Sequence, residues 1–110
     1  MKQREIYLVD FNPVKGSEQR RISPVVVISG NAMNDHLGIA ITCPLSTKIK
    51  NYAGCIVLKS NLENGLSETS EVLTFQIRTV AKERLIKKLG TISEKELGTI
   101  IQGLNEVLTF

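Results

Sequence analysis

Three groups of residues in this 110-residue chain are of the types that grip phosphate. Residues 15–23 (KGSEQRRIS) crowd Ser17, Glu18, Gln19, Arg20 and Arg21 just ahead of an apolar run. Residues 46–51 (STKIKN) supply Ser46, Thr47, Lys48 and Lys50, and farther on Gln76 and Arg78 interrupt an apolar stretch. Guanidinium forks, hydroxyls and amides are the donors that phosphate oxygens accept from. A carboxylate in such company repels a polyanion unless it acts as a base or orients an arginine. Each group alone has a structural reading: Glu18 pairs with an arginine, and Ser46 caps a turn. Their combination points to a polyanion site.

What is missing narrows the chemistry. The sequence holds no Walker loop and no Rossmann glycine fingerprint. No carboxylates fall at metal-ligand spacing, so neither a metal nor another cofactor is expected and two-metal nuclease chemistry is set aside. His36 is the single histidine, which removes a two-histidine route to phosphodiester cleavage; it reads as a solvated loop residue. Cys43 and Cys55 lie in apolar stretches without a CxxC spacing and read as two small buried side chains. RNA cleavage by this chain would therefore run on arginine, glutamate and hydroxyl groups, with the RNA 2′-hydroxyl as internal nucleophile. The net charge of +3 and pI of about 9.0 add a mild bias toward acidic partners.

These groups need elements to hold them. At 42% hydrophobic and 23% charged, the chain has the composition and length of one globular domain, residues 1–110. No apolar run approaches the roughly 18 residues that a membrane span requires. The charged start at residues 1–5 leads directly into a strand pattern and not a signal peptide, so the expectation is a cytoplasmic protein without membrane attachment. Strands are predicted over residues 6–11 (IYLVDF), 24–29 (PVVVIS), 39–45 (IAITCPL) and 55–58. Residues 71–80 read as one long strand or two broken by a bend. PVVVIS is apolar on both faces and belongs in the middle of its sheet. Polar loops are expected at residues 12–23, 31–38 and 46–54, with a turn at 61–67.

Near the C-terminus the pattern changes. Residues 82–89 (KERLIKKL) have helical spacing, with Gly90 as the stop. Ser93 and Glu96 form a capping box, after which Leu97, Ile100, Ile101, Leu104 and Leu108 make one helical stripe. Gly98 and Gly103 inside that helix suggest close approach to another backbone. The expected fold is a mostly β small barrel with C-terminal helices on one side.

Taken together, EIYLVDFNPVKGSEQ, SPVVVIS, ITCPLSTKIK and SEVLTFQIRTVAKERL resemble, in order and over nearly the whole chain, the MazF/PemK toxins of toxin–antitoxin modules. The resemblance implies an SH3-like small barrel of the MazF/PemK (CcdB-like) type and a homodimer. It also implies a cognate antitoxin whose acidic C-terminal segment covers the RNA site. The implied activity is sequence-specific, metal-independent cleavage of single-stranded RNA such as mRNA, leaving a 2′,3′-cyclic phosphate and a 5′-hydroxyl. An alternative on the same barrel is a catalytically silent chain that binds RNA or inhibits a protein target such as DNA gyrase.

One position departs from the family. Its members usually carry an arginine directly before the strand-opening proline, in a pattern such as GSEQ-x-x-x-R-P, and the resemblance gives it a central part in catalysis. Here that position is Ser23, and the arginines are Arg20 and Arg21. In an extended chain, residues two apart point to one side at a separation of roughly 6.6 Å, about the reach of an arginine side chain. Arg21 can then deliver its guanidinium where an arginine at position 23 would have put it. The candidate catalytic set is Arg21, Glu18 and Ser46, the last matching the family's threonine. The candidate RNA-binding set is Ser17, Gln19, Arg20, Ser23, Thr47, Lys48, Gln76 and Arg78.

Overall fold

A computed structural model describes residues 1–11 and 21–110 of the chain. Its centre is β2 (Ile22–Val27), where Val25, Val26 and Val27 are all completely buried. A strand apolar on both faces needs cover on both, and β2 has a neighbour on each edge as well. β1 (Glu5–Asp10) pairs with one edge and β3 (Ile39–Ser46) with the other, both antiparallel.

The outer edge of β3 is shared. Its first half pairs with β6 (Arg78–Ala81), while Leu45 and Ser46 pair with β5 (Ser70–Val72), which carries β4 (Ile56–Leu58) on its far side. Residues 73–77 therefore face only residues 43 and 44 of β3, and the surplus is thrown out as a 3-10 turn at Thr74–Gln76. The Leu73 amide, donating to the Pro44 carbonyl at 2.9 Å, fixes the start of that turn. Of the two forms allowed for residues 71–80, the broken one is found.

At the other end β7 (Leu85–Thr91) pairs with β1, giving the order β4-β5-β3-β2-β1-β7, with β6 attached to β3. The turn after β4 bends back onto β7. Thr91 donates its amide to the Glu63 carbonyl at 2.8 Å, and buried Asn64 ties the turn together through the Asn61 and Leu66 amides. Gly90 permits this contact, because a Cβ there would meet the backbone of Glu63 and Asn64. The two ends of the sheet are thereby joined into a small barrel.

The main core holds Ile6, Val26, Cys43, Leu45, Leu58, Val72, Ile92 and Ile100 among others. Helix α2 (Glu94–Thr109) covers one side of it, and the predicted capping box is present: Ser93 accepts from the Glu96 amide and Glu96 from the Ser93 amide. Burying Ile100 completely contributes roughly 2 kcal/mol of apolar transfer. The stripe is narrower than its spacing suggests. Leu97 and Leu104 pack on the core, but Ile101 and Leu108 are 42% and 74% exposed. A second, smaller cluster of Val9, Val25 and Val80, flanked by Tyr7, Phe11 and Leu85, occupies a separate part of the sheet.

Two expectations are corrected. KERLIKKL is not a helix: it is one 3-10 turn at Lys82–Arg84 followed by β7, so α2 is the only helix after the strands. Pairing with β1 overrides the local helical preference. Register shifts at Ile6/Tyr7 and Leu8/Val9 break the alternation that would have marked a strand. Residues 31–38 are not an irregular loop either. Asn31–Leu37 form helix α1, pinned by buried Asn34 donating to the Ser29 carbonyl at 2.9 Å and ended by Gly38 at φ +64°. His36 sits exposed on that helix, and of the cysteines Cys43 is buried and Cys55 half-buried.

Candidate functional site

The strand ends at one rim of the barrel enclose a cleft of about 360 Å³, lined by Phe11, Arg21, Ile22, Ser23, Pro44, Leu45, Ser46, Leu73, Gln76 and Arg78. Five predicted site residues, Arg21, Ser23, Ser46, Gln76 and Arg78, thus meet in one place, although they come from three separated stretches of sequence.

Strand pairing explains the meeting. The Phe11 amide donates to the Arg21 carbonyl at 2.8 Å, so the β1–β2 ladder continues one step beyond Asp10 and Ile22 and carries Arg21 to the rim. The β2–β3 register pairs Val25 with Pro44. Two residues beyond that pair on each strand, Ser23 and Ser46 both reach the cleft. From the other side, Thr42 pairs with Arg78 and donates its hydroxyl to the Arg78 carbonyl at 3.1 Å. The 3-10 turn then brings Gln76 to the same opening. Arg21 and Ser23, two apart in sequence, both line the cleft.

The lining suits an anion. Two guanidiniums, two hydroxyls and one carboxamide surround the space, and none of the described lining residues is acidic. The Arg78 guanidinium carbon lies 4.2 Å from the centre of the Phe11 ring, which holds the cation in place while leaving its N–H groups for a ligand. Ser46 accepts from the Lys48 amide at 3.1 Å, so its hydroxyl proton remains to donate.

Thr47 and Lys48 follow Ser46 on the adjoining loop, and both are exposed. Thr47 lines a neighbouring cavity of about 350 Å³ with Leu8, Pro24, Leu66 and Leu89 rather than the cleft itself. Ser17, Glu18, Gln19 and Arg20 lie outside the described residues.

A residue the sequence did not single out as functional stands behind this loop. Glu71 is completely buried and pairs with Ser46 in the β3–β5 ladder. Its two carboxylate oxygens accept from the amides of Lys50 at 2.8 Å and Tyr52 at 2.9 Å. Between these two, Asn51 has φ +54°, the kink that turns alternate amides toward one anion. The only trace in the sequence is an acidic residue inside the run SEVL.

The profile of the PemK-like, MazF-like toxin of type II toxin-antitoxin system matches residues 2–108. Endoribonuclease MazF of Staphylococcus saprophyticus is 35% identical over 100 residues, covering 88% of this chain and 82% of the relative. Endoribonuclease MazF9 of Mycobacterium tuberculosis is 31% identical over 109 residues, covering 94% and 92%. Among solved structures, MazF in a MazE–MazF complex from Deinococcus radiodurans superposes with a TM-score of 0.82 over 98% of this chain and 95% of its own, at 24% identity.

Proposed function

Because the chain belongs to the PemK-like, MazF-like toxins of type II toxin–antitoxin systems, we propose that it is an endoribonuclease that uses the Arg21–Ser46–Arg78 cleft to cut single-stranded RNA sequence-specifically, without a metal. The observation that carries this reading is the gathering of two arginines, two serines and Gln76 around one opening, all donors and no described acid. A scissile phosphate seated there meets charge from Arg21 and a hydroxyl from Ser46.

The chemistry is an internal transfer. The RNA 2′-hydroxyl gives its proton to a base, for which Glu18 is the candidate, and its oxygen bonds to phosphorus. The P–O5′ bond breaks, the departing oxygen takes up a proton, and the products are a 2′,3′-cyclic phosphate and a 5′-hydroxyl. Charge accumulates on the phosphoryl oxygens during this step, where Arg21 acts. Arg78, Gln76 and Ser23 hold flanking groups, with Ser17, Gln19, Arg20, Thr47 and Lys48 extending the track.

The protein acts in the cytoplasm, and no helix among the described residues is long and apolar enough to cross a membrane. Its antitoxin presents an acidic C-terminal segment that competes with RNA for the same cations. The homodimer face we propose is the exposed groove of Tyr52, Ala53, Phe75, Glu106, Val107 and Phe110, whose lining is apolar except for one carboxylate. Light scattering that falls toward the monomer mass on dilution tests the dimer.

The decisive assay incubates an unstructured RNA with purified protein in excess EDTA, beside Arg21→Ala and Arg20→Ala variants. Discrete fragments with 5′-hydroxyl ends, lost with Arg21→Ala and retained with Arg20→Ala, are expected. Intact RNA with wild-type protein overturns the reading in favour of a silent binder or an inhibitor of a protein target.

A further inference from the structure

The loop after Ser46 carries three alternate amides, and each has a side-chain acceptor. Lys48 donates to Ser46 Oγ, and Lys50 and Tyr52 donate to the two oxygens of Glu71. The loop is held at its far end too, where Thr74 gives its hydroxyl to the Gly54 carbonyl at 2.8 Å. Thr74 begins the turn that brings Gln76 to the cleft, so the loop and the turn share one fixed frame.

A fully buried carboxylate is costly unless its oxygens are bonded. Glu71 meets that condition with backbone amides of the loop, as an internal anion in a backbone nest. The consequence runs from β5 into the cleft. Ser46 is the ladder partner of Glu71 and also the acceptor for the Lys48 amide, so the strand end is tied to the loop.

On this basis we infer that Glu71 is a positioning residue of the RNA-cleaving site: by fixing residues 46–52 from behind, it aims the Ser46 hydroxyl into the cleft. This rests on the proposed endoribonuclease activity. Glu71 touches neither RNA nor the reacting atoms. It sets where the hydroxyl stands when charge develops on the phosphate, so its loss appears in turnover more than in binding.

Glu71→Gln keeps the shape but leaves one acceptor oxygen for two amides. Glu83→Gln, the same chemical change on the exposed turn before β7, is the control. Cleavage of a short RNA is followed with kcat and KM separated, and amide exchange is read by NMR. The expected result for Glu71→Gln is a kcat at least 10-fold lower with KM within 3-fold. Exchange should quicken at Lys50 and Tyr52 and stay unchanged at Val26 and Cys43, with the control like wild type. An unchanged kcat despite faster loop exchange overturns the inference, and so does a loss that comes with exposed Val26 and Cys43 amides. Wild-type protein that binds RNA without cutting it overturns the enzymatic reading instead. The positioning claim then rests on RNA-induced shifts of the Ser46 and Lys48 amides: shifts lost in Glu71→Gln support it, and equal or absent shifts overturn it.

Discussion

Arg78 sits over Phe11, its guanidinium carbon 4.2 Å from the ring centre, at the wall of the cleft where β1 ends and β6 begins. The two residues are 67 positions apart (78 − 11) and are brought together by β1–β2–β3–β6 pairing. An exposed cation over an aromatic ring is worth about 0.5–1 kcal/mol, or roughly 2- to 5-fold in affinity if the ring holds it ready for a phosphate. Phe11→Leu should weaken RNA binding by that factor and leave its salt dependence unchanged, since no charge is lost. Arg78→Ala should weaken it further and lower the slope of log K against log salt by about 0.7. Fluorescence anisotropy of a labelled oligonucleotide across a salt series checks both. Equal slopes for the two variants would remove Arg78 from the phosphate track.

Gly98 and Gly103 look alike in the sequence and should behave oppositely. Around Gly98 a new Cβ meets nothing within 4 Å, so Gly98→Ala should stabilise α2 by about 0.5–1 kcal/mol. At Gly103 a Cβ would run into the carbonyl oxygen of Gly54, in the loop that follows Ser46. Gly103→Ala should cost about 1–3 kcal/mol after its helical gain is counted. Urea unfolding of both variants reads the signs, and stabilisation by Gly103→Ala would contradict the close contact.

This pair shows where sequence reading stops. PVVVIS declares itself as an inner strand because Val25, Val26 and Val27 need cover on both faces, and the Ser93–Glu96 box declares a helix start. KERLIKKL misleads because bulges in β1–β7 pairing disguise a strand as a helical period. Five cleft residues were legible by chemical type, yet their convergence depends on β3 taking β6 and β5 along one edge, which no local pattern records. Glu71 was passed over for the opposite reason: a carboxylate reads as surface until the amides that bury it are known.

The β1–β7 pair also carries a pH response. Tyr7 donates to Glu5 at 2.8 Å, and the Lys88 ammonium lies 2.6 Å from the same carboxylate. Burial raises the Glu5 pKa, but the bonds from Lys88, Tyr7 and the Lys2 amide outweigh it and hold it below its ordinary 4.5. Burial, then the bond to Glu5 and its charge, push the Tyr7 phenol up to about 12. A raised phenol pKa stabilises the fold fully below the ordinary 10, and that contribution is lost as pH climbs from 10 to 12. The depressed Glu5 pKa acts at the other end, its contribution present above 4.5 and lost as pH falls through the lowered value. Tyr7→Phe should cost about 1 kcal/mol at neutral pH. It should also flatten the alkaline loss between pH 10 and 12, which urea midpoints across that range would measure. An alkaline limb identical to wild type would mean Tyr7 does not carry it.

The displaced arginine gives the sharpest prediction. Arg21 and Ser23 both line the cleft, and the resemblance to the family implies an arginine at the position of Ser23. If the guanidinium matters and not the position from which it arrives, the two positions are interchangeable. Arg21→Ala alone should lower kcat by about 10²–10³, the usual effect of deleting one donor to a developing oxyanion. Adding Ser23→Arg to that variant should restore at least a tenth of the wild-type rate, because position 23 lines the same cleft as Ser46. Single-turnover cleavage of one defined oligonucleotide compares the wild type and the two variants directly. Rescue in the double variant establishes that charge in this cleft drives the reaction. Failure of Arg21→Ala to slow cleavage would send the search for the stabilising cation to Arg78 or Arg20, and loss without rescue would tie Arg21 to a geometry that position 23 cannot reproduce.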